Sequence, residues 1–165
     1  VEVAHYAATA VAQISKESDL KLQQLERSFK TDPSAQNLNE YCDFLGEYLC
    51  SGLAEGRVAQ IQRQQYARLL ARRCEREDTL ELRIRYATAL TNVGQIDEAQ
   101  AVTDQLVLDV PEEQEVWMLC LRLAVMRRDG DEVHRVIDAI DKQHVYLSAD
   151  NREKLAFWRD GEEVG

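Results

Sequence analysis

The stretch Leu80–Pro111, LELRIRYATALTNVGQIDEAQAVTDQLVLDVP, decides the fold of this chain. Its apolar residues recur every three or four positions on both sides of a break at Asn92, Val93 and Gly94. That spacing gives a helix one buried face. Gly94 tolerates the positive φ with which many helices end, and Pro111 cannot continue a helix. The stretch therefore predicts two short helices joined by a tight turn, with neighbouring helices covering their apolar faces.

The same stretch resembles the tetratricopeptide repeat (TPR), a helical hairpin of about 34 residues. The residues that carry the resemblance are Tyr86, Ala87, Leu90, Gly94, Ala99 and Pro111. It implies that Ala99 lies where the two helices cross, and that hairpins stack into a right-handed solenoid. Two positions depart from the repeat, because Arg83 stands where the repeat has Trp and Thr103 where it has a large aromatic residue.

Similar hairpins are predicted on both sides, within one domain over residues 1–165. The predicted helical pairs span about 4–33, 35–78, 80–111 and 114–146, and a capping helix spans 148–160. In the first pair, a polar turn separates helices over 4–16 and 18–30. The second pair carries an insertion near residues 53–62, which either lengthens the turn or extends the second helix. In the fourth pair, Gly130 is expected to make the turn.

Composition agrees with an all-α chain and excludes some functions. Only 2 Pro and 7 Gly occur in 165 residues, and no convincing alternation of apolar and polar residues reaches strand length. The sequence thus predicts a TPR-like right-handed solenoid of about three to four hairpins. The net charge of −10 argues against general nucleic-acid binding, which needs a positive surface.

No motif of catalysis, metal binding or cofactor binding is present. A P-loop, a Rossmann glycine pattern and an HExxH motif are all missing. The histidines lie on different predicted elements without a second ligand at metal spacing: His5, His134 and His144. The cysteines show no CxxC spacing and have apolar neighbours, which indicates small core residues in a reducing compartment: Cys42, Cys50, Cys74 and Cys120. We therefore expect a non-enzymatic cytoplasmic domain that needs no cofactor.

The beginning of the chain suggests a fragment. Val1 opens the sequence without Met, in what already reads as a helix. No uncharged apolar run is long enough to span a bilayer, and no signal peptide is visible. We expect a longer protein whose membrane anchor, if it has one, precedes Val1.

A basic segment stands out in this acidic chain. Residues 57–73 hold five arginines and no acidic residue. Arg57, Arg68, Arg72 and Arg76 share one helical face, which we name the arginine stripe. It is expected either to be a solvated outer face or to bind an acidic partner or an anionic membrane surface.

A second candidate surface follows from the resemblance to TPR proteins, whose first helices line a concave groove. On this sequence the groove positions are Asn39, Cys42, Gly46, Cys50, Glu81, Ile84, Thr88, Asn92, Glu115, Met118 and Arg122. Their mixture of small, polar and apolar residues suits the binding of a peptide or helix. The alternative is that these positions only face water or a neighbouring helix.

More narrowly, residues 40–73, the central hairpin and the closing LSADNREKLAFWR resemble the cytosolic repeat region of the PelE family. These proteins belong to the bacterial inner-membrane machinery that makes and exports the Pel exopolysaccharide. The resemblance implies a non-catalytic scaffold whose partners are other synthase-complex components, including a cyclic-di-GMP receptor and a glycosyltransferase. Two alternatives stay open: a generic TPR adaptor or co-chaperone, and a regulatory domain that binds an anionic ligand through its arginine-rich helix.

Overall fold

The computed structural model describes residues 2–161, which form eight α-helices and no strand, so the predicted all-α class is confirmed. The helices are α1 (Glu2–Thr31), α2 (Ala35–Cys50), α3 (Gly56–Arg76), α4 (Leu80–Asn92), α5 (Ile96–Asp109), α6 (Gln114–Met126), α7 (Gly130–Gln143) and α8 (Ala149–Asp160). They form two compact units, Val1–Arg76 and Glu77–Gly165. The single domain over residues 1–165 stays a prediction.

The first unit contains α1, α2 and α3. The predicted turn near residue 17 is wrong, because α1 is one uninterrupted helix of 30 residues. The polar segment SKESD at residues 15–19 contains neither Gly nor Pro, so it continues the helix with its polar side chains largely in solvent. The helix ends at Thr31, where Pro33 follows closely, as expected.

The middle helix of the first unit, α2, packs against both α1 and α3. It begins at a cap in which the Ser34 side chain accepts a hydrogen bond of 3.2 Å from the Asn37 amide. Its buried residues are Leu38, Tyr41, Cys42, Leu45 and Tyr48. The insertion extends the second helix, since α3 starts at Gly56 and runs for 21 residues.

The second unit begins with the hairpin that the sequence singled out. Thr79 caps α4 by accepting a hydrogen bond from the Leu82 amide, and Gly94 has φ +77° in the turn before α5. Ala99 is fully buried against Leu90 and Leu123. The predicted helix–turn–helix over 80–111 is therefore confirmed.

The α6–α7 hairpin has a different turn from the one expected. Arg128, with φ +55°, takes the left-handed conformation, whereas Gly130 is the first residue of α7 and does not have a positive φ. Asp129 caps α7 by accepting a hydrogen bond from the Glu132 amide. The prediction that Gly130 makes the turn is wrong, because the helix can start there once Asp129 supplies the cap.

The last helix of the second unit, α8, closes on α7. Ser148 caps it, and its amide also donates a hydrogen bond of 2.8 Å to Oε1 of Gln114, the first residue of α6. Leu155 is buried and Trp158 packs at the edge of the same apolar cluster. The predicted helix over about 148–160 is confirmed.

Candidate functional site

The arginine stripe lies on α3, and all four of its residues are exposed. At about 100° per residue, three helical turns bring Arg68 nearly into line with Arg57. None of the four guanidinium groups forms an ion pair within residues 2–161. Arg72 instead lies over the ring of Phe29, with its Cζ atom 5.7 Å from the ring centroid.

The fifth arginine of the basic segment has a structural role. Arg73 is only 8% exposed, and its Nη1 atom donates a hydrogen bond of 2.6 Å to Oδ1 of Asp43 on α2. Burial alone lowers the pKa of this guanidinium, but its hydrogen bonds with Asp43 and Cys42 outweigh burial and raise the pKa overall. Arg73 therefore joins α3 to α2 and does not add to the surface charge.

A groove of about 700 Å³ opens in the first unit between α1 and α3, and we name it the α1–α3 groove. Its floor is the buried side of α2, formed by Tyr41, Leu45 and Tyr48. The α3 wall carries two exposed aliphatic side chains, Val58 and Ile61, with exposed fractions of 62% and 58%. Large apolar side chains left in water beside an apolar floor mark a surface suited to a partner.

The α3 wall also carries polar groups. Arg68 of the arginine stripe lines the groove. Gln62 lines it as well, and its Oε1 atom is buried without a hydrogen-bond donor among the described residues. A buried acceptor of this kind costs free energy until a donor reaches it.

The α1 wall is acidic, and its charges are already engaged. Asp19 accepts a hydrogen bond of 2.6 Å from Oη of Tyr48. Glu26 lies 2.9 Å from Nζ of Lys30. Burial is the main cause that raises the pKa of Tyr41 on the groove floor, and the charge of Glu26 adds to it. The groove therefore keeps acidic side chains, Asp19 and Glu55 among them, and Arg68 provides the positive charge of its α3 wall.

The predicted concave positions on α2 do not form one open face. Cys42 is fully buried, so its prediction as a partner-binding residue is wrong. The side of α2 that carries Cys42 also carries Asp43 and Gly46, and these residues meet α3. A Cβ atom on Gly46 would lie 2.8 Å from Oη of Tyr66. Asn39 is half-buried and Cys50 is exposed.

The predicted concave positions of the second unit lie on α4 and α6, which pack against each other. Four of them are exposed: Glu81, Asn92, Glu115 and Arg122. Three are half-buried: Ile84, Thr88 and Met118. Their role in partner binding stays a prediction.

The cysteines differ in exposure. Cys42 and Cys120 are buried, Cys74 is half-buried, and none of the four forms a disulfide. Burial raises the pKa of the Cys120 thiol to about 12, so it stays protonated and unreactive at neutral pH. Cys50 is exposed, so its interpretation as a core residue is wrong. It occupies the last turn of α2, two residues after Tyr48, the last buried residue of that helix.

The exposed aliphatic pair on α3 is the feature that sequence reasoning missed. Val58 and Ile61 lie three residues apart on the side of α3 that carries the arginine stripe. Apolar residues on an otherwise charged helical face were visible in the sequence as a signal. Within residues 2–161, no group of three or more His, Cys, Asp or Glu side chains is arranged to hold a metal ion.

Comparison of the chain with protein-family models, with curated proteins and with solved structures gave no match. Among the helices of residues 2–161, none combines the length and apolar character that a membrane crossing needs.

Proposed function

We propose that this chain is a non-catalytic protein-interaction domain that binds an acidic, amphipathic helical segment of its partner in the α1–α3 groove. The observation that carries the proposal is the combination of Val58, Ile61 and Arg68 on one open wall. The aliphatic pair offers apolar contact, and the arginine offers an unpaired positive charge at its edge.

Charge pairing elsewhere in the chain supports this interpretation. Other arginines meet acidic residues, as in the pairs Arg127–Asp97 and Arg159–Asp141. A chain with 30 acidic and 20 basic residues has enough carboxylates to neutralise α3. A fold-only role would be served by mixed charges on that face. The unpaired stripe is therefore better suited to a carboxylate from outside.

We further propose that the helices form a TPR-like solenoid. In the second unit, α6 begins 34 residues after α4, and α8 begins 35 residues after α6. The repeat has a period of about 34 residues. The hydrogen bonds from Ser148 and Asn151 to Oε1 of Gln114 join the starts of α6 and α8, as expected for the first helices of neighbouring repeats.

The resemblance to the PelE family makes components of an inner-membrane exopolysaccharide synthase complex the first candidate partners. The cyclic-di-GMP receptor and the glycosyltransferase of such a complex are the two to examine. This assignment is supported by the sequence resemblance alone. A generic adaptor that clamps a terminal carboxylate is less well supported, because Glu81 and Glu115 place negative charge on the α4–α6 face.

The experiment uses three probes against the 165-residue chain. The first is a labelled amphipathic peptide with a leucine stripe flanked by glutamates, and the second is its twin flanked by lysines. The third is a vesicle of anionic phospholipid. We expect fluorescence anisotropy to detect binding of the glutamate peptide only. Equal binding of both peptides, or binding of vesicles alone, would contradict the proposal. Purified candidate components then replace the peptides.

A further inference from the structure

The first half of α1 projects beyond the packed part of the first unit. Every residue from Val3 to Ile14 is exposed, and Leu22 is the first buried residue of the helix. We name Val3–Ile14 the α1 overhang. At a rise of about 1.5 Å per residue, it extends over about 18 Å of helix.

The α1 overhang is apolar and carries no formal charge. It contains no Asp, Glu, Lys or Arg, although these residues make up 30% of the chain. Val3, Tyr6, Val11 and Ile14 are between 55% and 83% exposed. An unsupported helical segment of this length is marginally stable in water, and a contiguous apolar surface marks an interface.

We propose that the α1 overhang joins two copies of this chain as an antiparallel helix pair. Val3, Ala7, Ala10 and Ile14 follow one another at intervals of four, three and four residues, the spacing of a coiled-coil seam. This spacing reads the same in both directions. Antiparallel pairing of identical segments therefore sets Val3 against Ile14 of the other copy, and Ala7 against its Ala10.

The side chains along the seam suit such a pair. The two alanines at its centre let the helices approach closely, and the larger Val3 and Ile14 fill the space at both ends. A surface that is complementary to itself is what a two-fold symmetric dimer requires. The seam ends at Ile14, because the next positions of the repeat are Glu17 and Lys21. We expect a weak dimer, since such a short seam buries little area.

Charge limits where two copies of this chain can meet. Two copies of a chain with net charge −10 repel each other over most of their surface. The α1 overhang is an uncharged face on which they can meet. The inference is independent of the proposed function, because the α1–α3 groove is lined by α1 only from Asp19 onward.

The test is the association state of the 165-residue chain by sedimentation velocity over a wide range of concentrations. We expect the wild-type chain to dimerise with increasing concentration. Ala7→Glu should weaken the dimer at least tenfold, because it buries a carboxylate in the seam. Adding Ala10→Lys should restore it, since each new Glu then faces a new Lys. In a parallel pair, Glu would face Glu and nothing would be restored.

The matched control is Leu108→Glu. Leu108 is 76% exposed on α5 of the second unit, and this variant should dimerise as the wild type does. Far-UV circular dichroism and melting temperatures identify any variant that fails to fold, and Ile14→Glu, also on the seam, then serves as the second disruptive substitution. A wild-type chain that stays monomeric throughout overturns the proposal. So does an Ala7→Glu variant that dimerises normally, or a double variant that is not restored. Binding of the overhang to anionic vesicles without dimerisation would assign it to a membrane instead.

Discussion

Oη of Tyr48 on α2 lies 2.6 Å from Oδ1 of Asp19 on α1, and this hydrogen bond joins the floor of the α1–α3 groove to its acidic wall. The hydrogen bond is the main cause that raises the pKa of Tyr48 to about 12, with burial adding to it. The neutral phenol can donate to the carboxylate, whereas a phenolate would repel it. This hydrogen bond between α1 and α2 therefore forms only while Tyr48 is protonated.

Removing this phenol should have a pH-dependent effect. We expect Tyr48→Phe to lower the free energy of unfolding by about 1 kcal/mol at neutral pH, since a hydrogen bond to a partly solvated carboxylate is lost. The folded-state pKa is raised, so the contribution is complete below about pH 10 and disappears as the pH rises toward 12. Urea unfolding of both proteins at pH 7 and near pH 12 measures their free energies of unfolding. A difference in the free energy of unfolding between wild type and variant that stays constant over this pH range would contradict the account.

Ala99 should tolerate no larger side chain. It is fully buried between α4, α5 and α6, so Ala99→Trp should cost about 1–3 kcal/mol or more from overpacking. Ala101→Trp is the matched control, because Ala101 is exposed on the same helix. Thermal unfolding of both variants provides the comparison. An unchanged midpoint for Ala99→Trp would mean that the hairpin packs differently.

Asp109 links α5 to α4 through Arg83 and should contribute to stability in one pH range. Hydrogen bonds from Arg83 and then Gln105 lower the pKa of this carboxyl group. Because the folded-state pKa is depressed, the contribution is present above about pH 4 and is lost as the pH falls through the folded-state value. We expect the melting temperature of Asp109→Asn to lie below that of the wild type at pH 7 and to equal it at about pH 2. Asp104→Asn is the control, since Asp104 accepts only an i,i+4 hydrogen bond from Gln100.

Local signals in the sequence predicted the second unit well. The break at Gly94 and the period of apolar residues are short-range features, and the helices follow them. The same signals failed at residues 15–19, where polar residues without Gly or Pro were interpreted as a turn. A helical wheel places Arg73 about 140° from Arg68, but it does not reveal the ion pair of Arg73, which depends on the position of Asp43 on α2.

The candidate site was less predictable than the fold. The arginine stripe could be identified on α3 because it is a property of one helix. The α1–α3 groove depends on packing between helices far apart in sequence, and its Tyr48–Asp19 contact joins residues 29 positions apart. Tertiary packing likewise buried Cys42, which the repeat pattern had assigned to an open face.

The central claim is that the arginine stripe binds an acidic partner segment beside the α1–α3 groove. The variant Arg57→Glu/Arg68→Glu is preferred over changes at Arg72, whose guanidinium also packs on Phe29. Arg63→Glu is the control for charge on α3, because Arg63 is exposed on the same helix but points away from the stripe.

The decisive measurement is the affinity of these variants and the wild type for the glutamate-flanked amphipathic peptide, at low salt and at physiological ionic strength. We predict that Arg57→Glu/Arg68→Glu binds about tenfold more weakly than the wild type at low salt, with an unchanged melting temperature. Wild-type binding should weaken with salt, since exposed charges are screened over about 8 Å at physiological ionic strength. Arg63→Glu should bind nearly as the wild type does. Equal affinities for all three proteins at low salt would show that the arginine stripe is only a solvated face.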